Sequence, residues 1–285
     1  MYKKVLFIGY GSLLKRCLEL LLSTPSLEIQ YLETEFNKFS SLSKFCEKYN
    51  VRYHLFTEKS KISEYIDSIS EKTLVISIHN KYIFSKNNLL NDNLLIVNFH
   101  NSLLPKHAGR NAPSWSIFEQ DSQAGITWHE VIRGIDKGDI IVQKPVNISN
   151  SITAIELTRI TMDLGYIAFK EIYPRLLAGN YEKYPQKITP NVTLHLSSDV
   201  PNQGILDLDW DFDKISAFLR AFDLSIYPAF PKPLILFENC FYELITYNIK
   251  RNALSSNMKR TISFENYMLN IADMKGNINL TVKKT

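Results

Sequence analysis

Residues 93–105 read NLLIVNFHNSLLP, an apolar run that passes directly into a polar segment. The first six residues, NLLIVN, are typical of a buried strand. Because side chains alternate along an extended chain, Asn98 and His100 are predicted to lie on the same side of it. Ligands of open α/β sheets bind beyond the carboxyl ends of the strands. We therefore expect a carboxamide that can donate to an oxyanion and an imidazole that can shuttle a proton to face one point.

The sequence on both sides of this stretch alternates between short apolar runs and segments with helical spacing. Val5–Ile8 and Glu28–Glu33 are typical of strands, and Ser12–Leu22 carries leucines at helical spacing. Such alternation predicts βαβ units. The expected fold is α/β, with a Rossmann-like, mostly parallel sheet and helices on both of its faces. The pattern continues at Ser41–Tyr49, Tyr53–Phe56, Ile62–Ile69, Leu74–Ile78, Ala124–Ile132, Ile140–Val146 and Ile152–Leu177.

The last third of the chain has a different pattern. Residues 186–203 are polar and contain prolines, and we interpret them as a linker. Several short strand candidates follow, which predicts a small antiparallel sheet or barrel. We therefore expect an amino-terminal domain at 1–185, a linker at 186–203 and a small β-rich domain at 204–285. The predicted elements of that last domain are a helix at Asp211–Phe222 and strands at Leu234–Phe237, Tyr242–Tyr247, Thr261–Phe264, Tyr267–Ile271 and Ile278–Val282.

The composition excludes several classes of protein. The 285 residues are 45% hydrophobic and 22% charged, as in a globular protein and unlike a disordered or fibrous one. No run approaches the ~18 consecutive apolar residues of a transmembrane helix. The net charge of +4 is too small to argue for nucleic-acid binding. The three cysteines have no CxxC spacing, so a reducing, cytoplasmic location is expected and a zinc site is not.

A second candidate site is Gly9-Tyr10-Gly11, directly after the first predicted strand. It resembles the start of a dinucleotide-binding turn, but Leu14 stands at the third glycine position. Glu33 or Glu35 lies roughly where a ribose-binding acid would be. Three interpretations stay open: a NAD(P)-dependent oxidoreductase, a phosphate site at Gly11 and Ser12, or a strand-to-helix turn that needs glycine in any case.

A third candidate is residues 134–139, GIDKGD, in which Asp136 or Asp139 can orient His100 or can belong only to a turn. Together with NFHNSLLP and Gly125-Ile126-Thr127, this segment resembles the formyltetrahydrofolate-dependent formyltransferases. That family includes methionyl-tRNA formyltransferase, glycinamide ribonucleotide formyltransferase and the sugar N-formyltransferases. The resemblance extends over residues 1–180, and residues 204–247 resemble the carboxyl-terminal, OB-like domain of longer members.

The resemblance implies the roles of the site residues. Asn98, His100 and Asp136 match the catalytic residues of the family, which implies formyl transfer from N10-formyltetrahydrofolate to a primary amine without a metal or a covalent intermediate. Asn98 and protonated His100 would stabilise the tetrahedral intermediate, His100 would move a proton, and Asp136 would orient His100 and raise its pKa. The implied folate contacts are Ile78, His79, Asn80, Lys81, Ile83, Ile132, Arg133 and Gly134. The implied acceptor contacts are Gly11, Ser12, Ser102 and Trp115, with Trp128 and His129 as further pocket candidates.

The segment between the second strand and the next helix bears on the identity of the amine. In methionyl-tRNA formyltransferase this segment is long and basic, whereas residues 33–40 here, ETEFNKFS, are short and net acidic. This segment argues against tRNA as the acceptor, and the candidate phosphate site at Gly11 and Ser12 favours an amino sugar on a nucleotide carrier. An aminoacyl group on a carrier protein and methionyl-tRNA are the alternatives, and a non-catalytic binding module is a third class. Nucleic acid and membrane are not expected as partners, and a homodimer is left open.

Overall fold

The computed structural model describes residues 1–34, 42–187, 193–224, 229–252 and 259–285. Strands and helices alternate through the first half of the chain, as the apolar runs predict. The elements in chain order begin with β1 (Lys4–Gly9), α1 (Ser12–Leu21), β2 (Glu28–Glu33), α2 (Ser43–Lys48), β3 (Arg52–Leu55), α3 (Lys59–Asp67), β4 (Thr73–Ile78), α4 (Lys86–Leu90), β5 (Leu94–His100), β6 (Ala108–Gly109) and α5 (Ala112–Phe118). They continue with β7 (Gln123–Glu130), β8 (Ile140–Asn147), α6 (Ala154–Ala178), β9 (Leu194–His195), β10 (Ile205–Leu206), α7 (Phe212–Phe222), β11 (Leu234–Phe237), β12 (Cys240–Arg251), β13 (Thr261–Glu265), β14 (Met268–Asp273) and β15 (Gly276–Lys284).

Contacts within the chain separate two compact units, each assembled from more than one stretch. The first unit contains Met1–Gly109, Gly125–Val146 and Arg159–Leu194. The second contains Arg110–Ala124, Asn147–Thr158 and His195–Thr285. The first unit holds the larger sheet and the second holds the smaller one. The domain limits at residues 185 and 204 stay predictions.

The sheet of the first unit has seven strands in the order β3-β2-β1-β4-β5-β7-β8. The pairs β1–β2, β1–β4, β2–β3 and β4–β5 are parallel. β7 pairs antiparallel with β5. These pairings confirm the predicted mostly parallel sheet. The strand order reverses between β1 and β4, which is where sheets of this kind bind ligands.

Alternating side chains form two cores, one on each face of this sheet. Val5 and Phe7 lie in the core with α1 and α6. Leu6 and Ile8 lie in the core with α3. Each fully buried apolar side chain stabilises the fold by about 1.5–3 kcal/mol relative to an exposed one. The two cores confirm the predicted helices on both faces.

The sheet of the second unit has six strands in the order β10-β11-β12-β15-β14-β13. Its pairings are antiparallel except for β10 with β11. α7 packs its apolar side on this sheet, where Ile215 and Phe218 share a core with Leu280. Asp211 begins the helix, since its carboxylate accepts the amide hydrogen of Lys214 at 2.8 Å. The predicted small β-rich region is confirmed.

Several element limits differ from the sequence prediction. The predicted strand NLLIVN ends later, because β5 continues to His100, which pairs with Thr127 of β7. The helix α5, which begins at Ala112, was not predicted, and α6 runs through Pro174. The helix α4 has the sequence KNNLL, which is too short and polar to show a helical period. Among the described residues, no helix has both the length and the apolar character needed to cross a membrane.

Candidate active site

Three strands bring polar side chains into one row across the sheet of the first unit. Ser77 of β4 and His129 of β7 are the register partners of Asn98 on β5. The Ser77 hydroxyl donates to Asn98 Oδ1 at 2.8 Å, and Asn98 Nδ2 lies 3.2 Å from His129 Nε2. His129 Nδ1 lies 2.7 Å from the carbonyl oxygen of Glu130. In the neutral ring the proton is therefore on Nδ1, and the Nε2 lone pair accepts from Asn98.

This row determines how the amide of Asn98 is presented. Ser77 and His129 are each 2% exposed, so their bonds to the amide are shielded from water. Asn98 Nδ2 carries two hydrogens, and only one of them is directed to His129. In the part of the chain that the structure describes, the second hydrogen has no acceptor. A donor held in place before any substrate arrives is suited to a developing negative charge.

His100 follows at the end of β5, on the same side of the strand as Asn98. Its Nε2 lies 2.8 Å from the carbonyl oxygen of His107, and its Nδ1 lies 3.4 Å from Asp136 Oδ2. The carbonyl can only accept, so the ring proton is on Nε2. The lone pair of Nδ1 is then free to take up a proton next to the carboxylate. An imidazolium–carboxylate hydrogen bond is normally about 2.7–2.9 Å, so protonation would draw the two groups together.

Asp136 lies in the turn between β7 and β8 and has a left-handed backbone, with φ of 52°. Its Oδ2 accepts the backbone hydrogen of Gly109 at 2.7 Å. Its Oδ1 lies 3.5 Å from His129 Nε2. One carboxylate therefore faces both His100 and His129. The sequence pattern had left open whether Asp136 or Asp139 lies next to His100, and the structure places Asp136 there.

Burial and charge set the protonation states of this pair. Burial lowers the pKa of His100, while Asp136 and the bond to the His107 carbonyl oppose that shift. Burial by itself would raise the pKa of Asp136. The attraction of His100 and His129 in their protonated forms and the hydrogen bond from the Gly109 amide outweigh it, so that the pKa of Asp136 lies well below its usual range. Near pH 7 the arrangement is thus an ionised carboxylate beside a neutral imidazole.

Hydrogen bonds from the side chains of Thr127 and Gln143 hold the loop that follows β5. The Thr127 hydroxyl donates to the Ser102 carbonyl at 2.7 Å and accepts the Leu104 amide hydrogen at 3.1 Å. Gln143 Nε2 donates to the Leu104 carbonyl at 2.8 Å. The Ser102 hydroxyl donates to the Lys106 carbonyl at 2.6 Å, so it stabilises the loop. The contact of Ser102 with the substrate that accepts the formyl group stays a prediction.

The predicted folate residues fall on two loops of the first unit. Ile78 is buried at the end of β4, and burial lowers the pKa of His79 to about 4, so this ring is neutral. Asn80 closes a turn, accepting the Tyr82 amide hydrogen at 2.9 Å. Ile83 is 73% exposed and Ile132 47% exposed, high values for isoleucine. Lys81, Arg133 and Gly134 are exposed as well.

Gly9, at the end of β1, has a structural explanation. A Cβ on Gly9 would lie 1.8 Å from the carbonyl oxygen of Ile78, and φ of 123° favours glycine there. Gly11 precedes α1 without a side-chain cap, and the Ser12 hydroxyl lies 3.7 Å from Met162 Sδ. Glu33 is buried and accepts the Tyr53 hydroxyl at 2.7 Å, while Glu35 lies outside the described residues. The dinucleotide interpretation therefore loses its main support.

The aromatic pocket candidates do not form one group. Trp128 is fully buried, and its Nε1 donates to the Gly165 carbonyl at 3.0 Å. Expecting it to line the acceptor pocket is wrong, because alternation on β7 directs it to the opposite face from His129. Trp115 belongs to the second unit, where it stacks on His195 with ring centroids 4.1 Å apart.

Sequence reasoning missed Ser77 and placed His129 only among the pocket candidates. Thr127 and His129 alternate on β7, which is a sequence signal that both face the same side. Their partners become clear only from the β5–β7 register. His107 and Gly109 contribute a backbone carbonyl and a backbone amide, so their residue types in the sequence do not indicate these contacts.

Comparisons with known proteins give the relatives and the fold family of the chain. The family described as "Formyl transferase" matches residues 36–173. The chain is 22% identical to GDP-perosamine N-formyltransferase of Brucella melitensis, over 88% of this chain and 95% of that protein. It is 24% identical to methionyl-tRNA formyltransferase of Ureaplasma urealyticum, over 97% of this chain and 90% of that one.

A solved structure shows the same fold. WlaRD is a sugar 3N-formyltransferase that was crystallised with dTDP and 5-N-formyl-THF. It is 20% identical, with a TM-score of 0.77 over 100% of this chain and 98% of that one. The family match and the two relatives point to one reaction class, and the solved structure shows the same fold. The match at residues 36–173 and the two relatives support the formyl transferase family and identify the chain as an enzyme that transfers formyl groups.

Proposed function

We propose that this enzyme transfers the formyl group of N10-formyltetrahydrofolate to the primary amine of an amino sugar carried on a nucleotide. The observation that carries the proposal is the arrangement of Asn98, His100 and Asp136. An amide donor, an imidazole with a free lone pair and an ionised carboxylate lie together at the carboxyl end of β5. This set matches the needs of acyl transfer to an amine.

The proposed reaction follows from these positions. The amine nitrogen attacks the formyl carbon, and the carbonyl electron pair moves onto the oxygen of a tetrahedral intermediate. The free hydrogen of Asn98 Nδ2 donates to that oxygen. His100 Nδ1 accepts the proton that the amine nitrogen loses, and Asp136 stabilises the imidazolium. The bond from the formyl carbon to N10 then breaks, and the proton passes from His100 to N10 of the departing tetrahydrofolate.

This sequence of steps refines the expectation of a protonated His100 beside the oxygen. Burial of the ring favours a neutral His100 at the start, and the hydrogen bond from Nε2 to the His107 carbonyl leaves Nδ1 as the nitrogen without a proton in that state. His100 is therefore proposed to act first as the proton acceptor. It becomes cationic only while the tetrahedral intermediate exists, when its positive charge can stabilise the negatively charged oxygen of that intermediate.

The two loops with exposed isoleucines are proposed to receive the folate. Ile83 and Ile132 offer apolar side chains that suit the flat face of a pteridine, with backbone groups of Ile78, His79 and Gly134 for its polar edge. The neighbour crystallised with 5-N-formyl-THF supports a folate cosubstrate.

The amino-sugar acceptor is supported by the relatives. One is named for GDP-perosamine and another was crystallised with dTDP. Gly11 and Ser12, at the amino end of α1, are proposed to contact a phosphate of the nucleotide. The short acidic segment ETEFNKFS argues against tRNA, whose phosphates require clustered basic residues. The aminoacyl carrier protein is a further alternative acceptor.

One experiment tests the whole proposal. The purified protein is incubated with N10-formyltetrahydrofolate and, in parallel, with 3-amino and 4-amino sugars on dTDP, UDP and GDP, with an aminoacyl carrier protein and with methionyl-tRNA. Release of tetrahydrofolate is followed by absorbance and the formylated product by mass spectrometry, with His100→Ala as the blank. Turnover with at least one nucleotide sugar is expected. Turnover only with the carrier protein or the tRNA would contradict the acceptor, and turnover with none would contradict the reaction.

A further inference from the structure

The segment that follows α6, residues 181–186, contacts the turn that carries Asp136 at several points; we call this segment the strap. Tyr181 donates its hydroxyl to the carboxylate of Glu130, at the end of β7. The backbone of Tyr184 exchanges two hydrogen bonds with Ile140, at the start of β8, at 2.8 and 3.0 Å. The strap therefore contacts both strands between which the Asp136 turn lies.

Gln186 makes the contact nearest to Asp136. Its Nε2 donates to the carbonyl oxygen of Asp136 at 2.7 Å and to that of Gly138 at 2.8 Å. The two hydrogens of one carboxamide thus satisfy two carbonyls on either side of Lys137. Within the strap, Gln186 and Tyr181 are the partly buried residues, and the other four are exposed.

The turn needs such support because of its backbone. Asp136 has φ of 52°, a conformation that residues other than glycine adopt at a cost. Gly138 lies so close to β7 that a Cβ would stand 1.8 Å from the carbonyl oxygen of Glu130. A strained turn keeps its conformation only when its surroundings fix it. Gln186 is placed to do this at the residue whose carboxylate faces His100.

We infer that Gln186 is a positioning residue for the formyl-transfer reaction, which acts by holding Asp136 beside His100. This inference rests on the proposed function for its kinetic test and on geometry alone for its spectroscopic test. Gln186 touches no reacting group. Its effect passes through the Asp136 carboxylate to the proton affinity of His100 Nδ1.

Other titratable groups near the pair enter the same test. His79, His107, His129 and Asp136 all interact electrostatically with His100. Because these three histidines are left unchanged by a substitution at position 186, a change in the titration of His100 reports the position of Asp136.

The test compares Gln186→Met with Gln30→Met. Methionine keeps the length of the side chain and removes both donors. Gln30 is a matched control, since its Nε2 donates to Glu28 Oε1 at 2.8 Å on β2, away from the turn. Gln186→Met is expected to lower kcat by up to about 100-fold, with little change in KM, as for a misplaced catalytic group. Turnover is expressed per folded molecule, and Gln186→Asn is a second variant that keeps the donors on a shorter arm.

Two further readouts separate positioning from general stability. NMR titration is expected to give a lower pKa for His100 in Gln186→Met than in the wild type, because the nearby carboxylate is less well placed. In the Asp136→Asn background, Gln186→Met is expected to add little further loss, since both act on one group. An unchanged His100 titration together with additive losses would overturn the inference. The titration needs no substrate, so it stays decisive even if no acceptor is turned over and the proposed function fails.

Discussion

Replacing Asp136 by asparagine removes one charge from the site and changes almost nothing in shape. The carboxylate lies 3.4 Å from His100 Nδ1, and the two side chains are 11% and 6% exposed. At that distance and an effective dielectric constant of about 20, a unit charge stabilises the imidazolium by roughly 5 kcal/mol. Asparagine keeps an oxygen that can accept from Gly109 and retains part of the interaction. We therefore expect kcat to fall by about 10²–10³, which corresponds to about 3–4 kcal/mol.

The pH profile gives the sign of this effect. Activity requires neutral His100, so kcat/KM declines as the pH falls through the His100 pKa of the free enzyme, which lies below its usual 6.5. Asp136 raises that pKa, so Asp136→Asn must move the acidic limb to still lower pH. Steady-state kinetics over a pH series measures both effects. The control is Asp163→Asn, because Asp163 lies on α6, is exposed and pairs with Arg16 of α1. Turnover near that of the wild type, or a limb that moves to higher pH, would refute this account.

Four other outcomes are expected. His100→Ala should bind a folate analogue normally by calorimetry yet be nearly inactive, and combining it with Asp136→Asn should cost little more, because the residues act as a unit. Ser77→Ala frees the Asn98 amide to turn. We expect kcat to fall about tenfold with unchanged stability, since complete loss of one oxyanion donor lowers turnover by ~10²–10³. An unchanged kcat would contradict the role of the row. Gly138→Ala should lower the free energy of unfolding in urea by about 1–3 kcal/mol, because its Cβ would overlap the Glu130 carbonyl. Since the folded pKa of Asp136 is depressed, the stability it contributes is present above about pH 4 and is lost as the pH falls below that value, and Asp136→Asn should flatten this acid dependence.

The sequence predicted the parts of the site that depend on local pattern. The period of two along a strand was enough to put Asn98 and His100 on one side, and strand–helix alternation was enough for the parallel sheet. Asp136 is different, because its contact with His100 depends on the antiparallel register of β5 with β7 and on the amide of Gly109. Only the family resemblance pointed to it.

One error and one omission in the sequence interpretation have the same physical origin. Trp128 and His129 are neighbours in the chain and were grouped in one pocket, yet alternation sends one into the core and the other into the row with Asn98. The residues around Gln186 have the composition of a linker. Nothing in that composition indicates that the Gln186 carboxamide donates to two carbonyls of a distant turn. Both roles are set by pairing across the chain, which local patterns do not contain.

The fold holds the two halves of the proposed chemistry by separate means. The Asn98 donor is fixed by strand register, through Ser77 on one side and His129 on the other. The Asp136 charge is fixed by a turn that depends on Gly109 and Gln186. The two systems meet at His129, which lies near both Asn98 and Asp136. Because the other supports differ, loss of support for the turn should weaken proton transfer while the oxyanion donor stays in place, whereas loss of the row should do the reverse.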